Sequence, residues 1–249
     1  MQVPDQVQWM PVEVGRSWRY VYARERSRAV DGGATQVEHV RGTLSEVIVR
    51  RSPELGSRTV ELHTRLDGQS DGPDAAIIES SRTFLTSKGA NARVYALEVS
   101  DPLAGRKELV HYEKPLELLR SGVAIGQKWP VGIRRASGVQ TEIEGEVLGV
   151  QSAQTPAGLY EKCLVVRYTG RIAGVTDAYG SRIEIPSGEL VSTEWYAPGV
   201  GRVLIKRELS QILILPDGSK VQFVERTQYA LQESTGAAPV QPAATVQLE

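Results

Sequence analysis

The sequence predicts an all-β, antiparallel fold in which two similar curved-sheet halves pack as a sandwich or open barrel, with little helix. Three observations predict it: apolar residues recur at every second position, turn residues separate these runs, and one short motif occurs twice. Residues 58–66 (RTVELHTRL) illustrate the alternation. Val60, Leu62 and Leu66 fall on one face and charged residues on the other, as a half-buried strand requires.

The expected strands follow one another along the chain. Residues 18–24 (WRYVYAR) set their three aromatic side chains on one side of a strand. Residues 141–148 (TEIEGEVL) direct three glutamates outward, with Ile143 and Val147 inward. Residues 213–223 (LILPDGSKVQF) predict a hairpin, because proline and glycine occupy the positions that a tight turn favours. Residues 113–122 (EKPLELLRSG) fit either a short helix or an extended link.

An internal echo relates the two halves of the chain. Residues 12–18 read VEVGRSW and residues 123–129 read VAIGQKW, so the pattern returns after 111 residues. We predict a single β domain, 1–231, built of two repeat-like halves at about 12–112 and 123–231. Coincidental similarity between short β patterns is the alternative. The Pro/Ala-rich residues 232–249 predict a disordered tail or tether.

Composition limits the classes of partner. The formal net charge is −1 and the isoelectric point is near 6.4, which argues against nucleic acid or an anionic membrane as principal partner. No apolar run approaches the ~18 residues of a membrane helix, so no transmembrane segment is predicted. The N-terminal residues lack the charged and apolar regions of a signal peptide. Clustered arginines are interpreted as solvated strand edges: Arg24, Arg26, Arg28, Arg50 and Arg51.

The glycine pair in residues 197–203 (APGVGRV) could form a phosphate-binding loop, a catalytic turn or a corner between strands. A dinucleotide-binding motif would need a third glycine where Leu204 stands, and a helix after it. Residues 202–209 (RVLIKREL) instead alternate as a strand. The sequence therefore predicts a β-corner.

No residue pattern predicts a catalytic residue, a metal site or a cofactor. The three histidines, His39, His63 and His111, lack metal-ligand spacing, and the sequence contains no nucleophile elbow, zinc-protease motif or P-loop. The single cysteine, Cys163, is interpreted as a small buried apolar side chain. Two acidic groups are interpreted as solvated: a turn containing Asp67, Ser70, Asp71 and Asp74, and a strand stripe of Glu142, Glu144 and Glu146.

Large aromatic residues stand where strands begin or turn. We interpret them as core anchors, because each contributes a large apolar area. The alternative is an aromatic-lined concavity for an apolar ligand. The candidate ligand-binding residues are Trp18, Tyr20, Tyr22, Trp129, Trp195 and Tyr196.

Three stretches together show a resemblance. They are VEVGRSWRY (12–20), TPAGLYEKCLVV (155–166) and TEWYAPGVGRVLIK (193–206). With their V-G-x-x-W-x-Y, T-P-A-G…C-L and W-Y-A-x-G-V-G motifs, they resemble a broad group of bacterial envelope proteins, many of them lipoproteins or secreted β proteins. The resemblance implies an all-β fold and a periplasmic or cell-envelope location, and it implies no activity. The sequence departs from the group in showing no signal peptide or lipobox cysteine, which leaves a cytoplasmic location as the alternative.

These observations favour a noncatalytic envelope-type β protein that binds an apolar or lipid-like ligand, or a partner protein. Two alternatives stay open. One is a structural component of an assembly, in which edge strands would pair between chains. The other is a hydrolase-like enzyme whose site is assembled from residues far apart in the chain.

Overall fold

A computed structural model shows twelve antiparallel strands in the part of the chain that it describes. It describes residues 3–4, 6–72, 76–101, 106–178 and 181–236. Within this part of the chain the only helical element is one 3-10 turn, Pro53–Leu55, and no helix is long and apolar enough to cross a membrane. The strands are β1 Ser17–Val30, β2 Gln36–Arg51, β3 Val60–Ser70, β4 Ala76–Lys88, β5 Asn91–Asp101, β6 Arg106–Leu119, β7 Lys128–Ala136, β8 Val139–Thr155, β9 Gly158–Ala178, β10 Ser181–Ala197, β11 Gly201–Ile214 and β12 Lys220–Thr235.

All strands belong to one sheet that curls into a nearly closed barrel. Strands that follow one another in the chain pair with each other, except β6 and β7, and β1 also pairs with β12. The sheet ends at β6 and β7, which lie side by side without a backbone ladder in the described residues; we call this junction the β6–β7 seam. Side chains bridge it, since Trp129 Nε1 donates to Glu117 O (2.9 Å) and the Tyr168 hydroxyl donates to Leu118 O (2.7 Å). The predicted all-β, antiparallel fold is confirmed, in its barrel form.

The two ends of the barrel differ in what fills them. We call the end with the β10–β11 turn the base and the end with the β11–β12 turn the rim. The N-terminal segment packs against the base: Gly199 N donates to Gln8 O (2.8 Å), and the side chains of Trp9 and Met10 are buried among the core residues. The sequence pattern did not predict this covering segment. It gives the base a filled apolar core.

Period-two alternation determines which side chains face inward. Trp18, Tyr20 and Tyr22 are all buried, as predicted for the first strand. The predicted turn after Leu215 is also present, with Leu215 N donating to Ser219 O at 2.9 Å. Residues 113–119 of the segment 113–122 are extended rather than helical, because β6 runs to Leu119, and a turn follows at residues 121–122.

The two halves contribute six strands each. β1 begins at Ser17 and β7 at Lys128, again 111 residues apart. Origin of the halves by duplication stays a prediction. Residues 232–235, which were predicted as the start of the tail, belong to β12 and pair with β1; residues 237–249 of that tail lie outside the described residues.

Candidate functional site in the barrel interior

Charged side chains line the interior between the middle of the barrel and the rim. Arg24 follows the three inward aromatic residues of β1 at the next inward position. The strand register places Arg24 opposite Thr227 of β12, and Thr227 opposite Arg207 of β11. Because neighbouring strands are about 4.8 Å apart, this row brings the two arginines to opposite sides of one threonine. We call the group formed by Arg24, Tyr112, Arg134, Arg207 and Thr227 the arginine compartment.

Arg24 is buried, with 5% of its surface exposed. Its Nη1 donates to Glu79 Oε1 at 3.0 Å, an ion pair that links β1 to β4 across the interior. Its Nε and Nη2 are buried and have no hydrogen-bond partner in the described part of the protein. Buried polar groups are normally paired, so two free donors on one guanidinium require an explanation.

A pair of tyrosine rings supports the arginines from below. Tyr22 and Tyr229 stack with their centroids 5.4 Å apart and their planes 15° apart. The Cζ atoms of Arg24 and Arg207 each lie 6.0 Å from a ring centroid, over Tyr22 and Tyr229 respectively. Cation–π contacts of this kind hold a guanidinium in place while leaving its edge free to donate hydrogen bonds.

Tyr112 of β6 and Arg134 of β7 complete the compartment at the β6–β7 seam. The Tyr112 hydroxyl is buried and unpartnered in the described residues, and burial raises its pKa. Burial also lowers the pKa of Arg134, and the like charge of Arg207 lowers it further. Like charges on the inward faces of one barrel would be stabilised by a bound anion.

Below the compartment lies a buried ionic network that is well satisfied. Arg202 Nη2 donates to Glu46 Oε1 (2.6 Å), and Tyr20 donates to the other oxygen of that carboxylate (3.2 Å). Tyr196 donates to Glu194 Oε2 at 2.6 Å, and the same oxygen lies 3.9 Å from Arg202 Nη1. Burial, reinforced by the adjacent carboxylates, raises the pKa values of Tyr20 and Tyr196. The network separates the apolar base from the arginine compartment.

The structure places the six aromatic candidates in two environments. Trp195 is on the outer surface of β10, with Lys206 Nζ 5.9 Å from its ring centroid. The others are buried in the interior: Trp18, Tyr20, Tyr22, Trp129 and Tyr196. The enclosed space beside Trp18 and Tyr20 measures about 10 Å³, which is room for one water molecule. This packing agrees with their interpretation as core anchors.

The interior arginines were not predicted from the sequence. Arg24 was interpreted as part of a solvated strand edge, and that interpretation is wrong. Arg26 is only half-buried and pairs with Glu225, whereas Arg28, Arg50 and Arg51 are exposed as expected. The alternation of inward and outward residues could have identified Arg24, because it stands two positions after Tyr22 and therefore on the same face of β1. Likewise, Arg207 stands on the inward face of β11, where Ile205 is buried.

The alternation of inward and outward residues could not have predicted that Arg202 faces the interior. Strict alternation would place it outward, opposite the face of Val203. The register of β10 and β11 shifts between Trp195 and Tyr196, so that Tyr196 pairs with Arg202 while Trp195 pairs with Leu204. A β-bulge of this kind redirects a side chain, and here it turns Arg202 toward Glu46.

The outer surface of β2 to β6 carries a second concavity, a groove of about 670 Å³. At its side, Glu61 is only 2% exposed although it lies on the outer face. His63 Nε2 and Arg50 Nε contact its carboxylate at 2.7 and 2.6 Å, and these hydrogen bonds outweigh burial and lower its pKa. Ser80 and Ser81 line the groove, but no serine hydroxyl bonds to His63 in the described residues. The groove thus holds a covered ion-pair cluster.

The remaining candidates behave as structural residues. Cys163 is fully buried, and burial raises its pKa to about 11. No cluster of three metal-ligating side chains occurs in the described part of the chain. The acidic stripe forms surface pairs with Arg171, Lys128 and Arg167. In the acidic turn, Asp71 accepts a hydrogen bond from His39 N (2.7 Å), while Asp74 lies outside the described residues.

Comparison with known proteins adds fold-level similarity alone. No family model and no curated protein matches the chain. A candidate lipoprotein from Parabacteroides distasonis ATCC 8503 is similar over 93% of this chain and 100% of its own, with 15% identity and a TM-score of 0.42. The S-type phycobiliprotein lyase CPES from Guillardia theta is similar over 89% of each chain, with 11% identity and a TM-score of 0.32. Ail, the attachment invasion locus protein of Yersinia pestis, covers 88% of this chain and 99% of its own at 7% identity and a TM-score of 0.23. At these levels of similarity we draw no functional argument from them.

Proposed function

We propose that this protein is a noncatalytic binding protein of the bacterial cell envelope, which receives a small ligand in the arginine compartment. The observation that carries the proposal is Arg24, a buried side chain with two donor atoms that lack partners in the described residues. Leaving a buried donor unpaired costs about 1–3 kcal/mol, and more when the group is charged. A ligand that accepts these hydrogen bonds would remove that cost.

The filled base limits what the ligand can be. Trp18, Trp129 and the N-terminal residues Trp9 and Met10 occupy the base, so an acyl chain has no apolar cavity to enter there. The polar part of the ligand would contact the arginines, and any apolar part would extend toward the rim, past the stacked Tyr22 and Tyr229. This refines the lipid-like ligand that the sequence suggested. The envelope location is supported by the three motifs described above.

Thermal unfolding in the presence of a small-molecule library tests the binding function. Wild-type protein and an Arg24→Met, Arg207→Met double variant would be compared, with far-UV circular dichroism to verify that both retain the β fold. We expect some compounds to raise the melting temperature of the wild type and to leave the double variant unchanged, since a ligand stabilises only the state that binds it. Equal shifts in both proteins, or no shift in either, would contradict the proposal.

Cell fractionation of the source bacterium tests the location. An antibody against the purified chain should detect the protein in the periplasmic or membrane fraction. Detection in the cytoplasmic fraction alone would remove the envelope part of the proposal and leave the binding part intact.

A further inference from the structure

The unpartnered N–H groups of Arg24 carry positive charge and also fix the direction from which a ligand would accept hydrogen bonds. Glu79 occupies Nη1, and Nε and Nη2 have no partner among the residues that the structure describes. These two atoms form one edge of the planar guanidinium, and their N–H bonds point the same way. An edge of this kind donates two parallel hydrogen bonds to the two oxygens of a carboxylate or phosphate. A neutral carbonyl group offers one oxygen and no charge to this edge, so it matches the two parallel donors less well than an oxyanion does.

A second cation stands in the same row. Arg207 lies two strands from Arg24 in the register, and its buried Nε is also unpartnered in the described residues. Thr227 lies between the two arginines and is buried. An oxygen-rich group above Thr227 would therefore meet donors from both sides.

The arginines near this row are not all paired with carboxylates of the described residues, so the row could accept an anion. Four arginines stand on the inward faces near it: Arg24, Arg207, Arg26 and Arg134. The acids near them include Glu79 beside Arg24, Glu225 beside Arg26, Glu38 opposite Arg26 in the register, and Glu194, whose charge acts on Arg207. Glu225 is committed to Arg26, with Nε to Oε2 at 2.6 Å. Glu79 contacts only one nitrogen of Arg24, and its side chain is 48% exposed. The described carboxylates thus leave Nε and Nη2 of Arg24 and Nε of Arg207 without a hydrogen-bond partner.

We infer that the ligand carries an oxyanion, a carboxylate or a phosphate, held side-on by the Nε–Nη2 edge of Arg24 with a further hydrogen bond from Arg207. The inference rests on the proposed function and specifies the chemistry of the bound group. It is independent of the aromatic residues that the sequence suggested as ligand contacts.

Isothermal titration calorimetry with matched probes tests the inference. The probes are benzoate, phenyl phosphate, inorganic phosphate and the neutral benzamide, each at the same ionic strength. The variants are Arg24→Lys, which keeps the charge but loses the two-donor edge, and Arg28→Lys, an exposed substitution on the same strand, as control. Losing a charge-assisted hydrogen bond of about 1.5–3 kcal/mol corresponds to roughly 10–100-fold weaker binding.

We expect at least one oxyanion probe to bind the wild type and the Arg28→Lys control equally, and the Arg24→Lys variant 10–100-fold more weakly. Benzoate and the phosphates distinguish a carboxylate from a phosphate ligand. Equal binding of benzamide and benzoate, or undiminished binding to Arg24→Lys, would overturn the oxyanion inference while leaving the binding function in place. The oxyanion inference would also fail if no oxyanion probe bound while library compounds still stabilised the wild type and not the double variant. Failure of both assays would remove both proposals.

Discussion

Replacing Trp129 by phenylalanine should weaken the β6–β7 seam, and comparison with a control substitution isolates the contribution of one hydrogen bond. Trp129 Nε1 donates to Glu117 O at 2.9 Å, so the side chain joins the two strands that no backbone ladder connects. Trp9 provides the matched control, because it is similarly buried (4% exposed, against 3% for Trp129) and its Nε1 has no partner in the described residues. The same substitution at both positions removes a similar apolar area and differs in one hydrogen bond.

The expected difference follows from that bond. A net hydrogen bond contributes about 0.5–1.5 kcal/mol, and a carbonyl left unpaired in a buried position adds up to about 3 kcal/mol. Trp129→Phe should therefore lower the free energy of unfolding by about 1–3 kcal/mol more than Trp9→Phe. In a chain of this size each kcal/mol corresponds to about 2–4 °C in melting temperature.

Urea denaturation followed by circular dichroism measures this difference, and hydrogen exchange locates it. Amide protection in β6 and β7 should fall in Trp129→Phe and stay at the wild-type level in Trp9→Phe. If the two variants lose equal stability and exchange at the seam is unchanged, the reasoning that an indole hydrogen bond holds the seam is refuted.

Four further outcomes follow from packing and charge. Gly145→Ala should destabilise the protein by about 1–3 kcal/mol, because the added Cβ would lie 2.5 Å from Cζ2 of Trp129; Trp129→Phe should reduce that cost in the double variant, as denaturant titrations would show. Arg202→Met should cost about 3–5 kcal/mol in the same measurement, since it leaves two buried glutamates without a cation, and replacing both glutamates by glutamine should recover part of the loss. The pKa of Glu61 is lowered in the folded state, so its contribution to stability is complete above the ordinary value of 4.5 and disappears as the pH falls through the lowered value; stability should therefore decline less between about pH 6 and pH 3 in Glu61→Gln than in the wild type. Cys163, with a pKa of about 11 and no exposed surface, should react with a thiol reagent only as fast as the protein unfolds, and rapid reaction of the native protein would contradict its buried placement.

Local pattern was sufficient to predict the fold class and much of the core. The alternation in residues 18–24 identified the inward face of β1, and proline and glycine near 216–218 identified the last turn, because both are properties of short stretches of chain. The segment 113–122 was ambiguous for the same reason. Its leucines satisfy both periods, and only pairing with β5 decided that it is extended.

The candidate site could be predicted less completely, because charge suggests exposure when a residue is considered alone. Alternation along each strand could have marked Arg24 and Arg207 as inward, but only the pairing of β1, β12 and β11 places them in one row with Thr227. Arg202 needed a bulge that depends on how β10 and β11 pair. The burial of Glu61 needed side chains from neighbouring strands to cover it. These features arise from contacts between residues far apart in the chain.

By itself, the sequence determined that this protein is an antiparallel β structure with aromatic anchors, because each strand shows the alternation of apolar and polar residues in its own sequence. The tertiary structure decided that the sheet curls until β6 meets β7, that the N-terminal segment fills the base, and that arginines from β1, β7 and β11 share one interior. The physical reason is that curvature and register are collective properties of twelve strands. They determine which inward side chains meet, and no single strand contains that information.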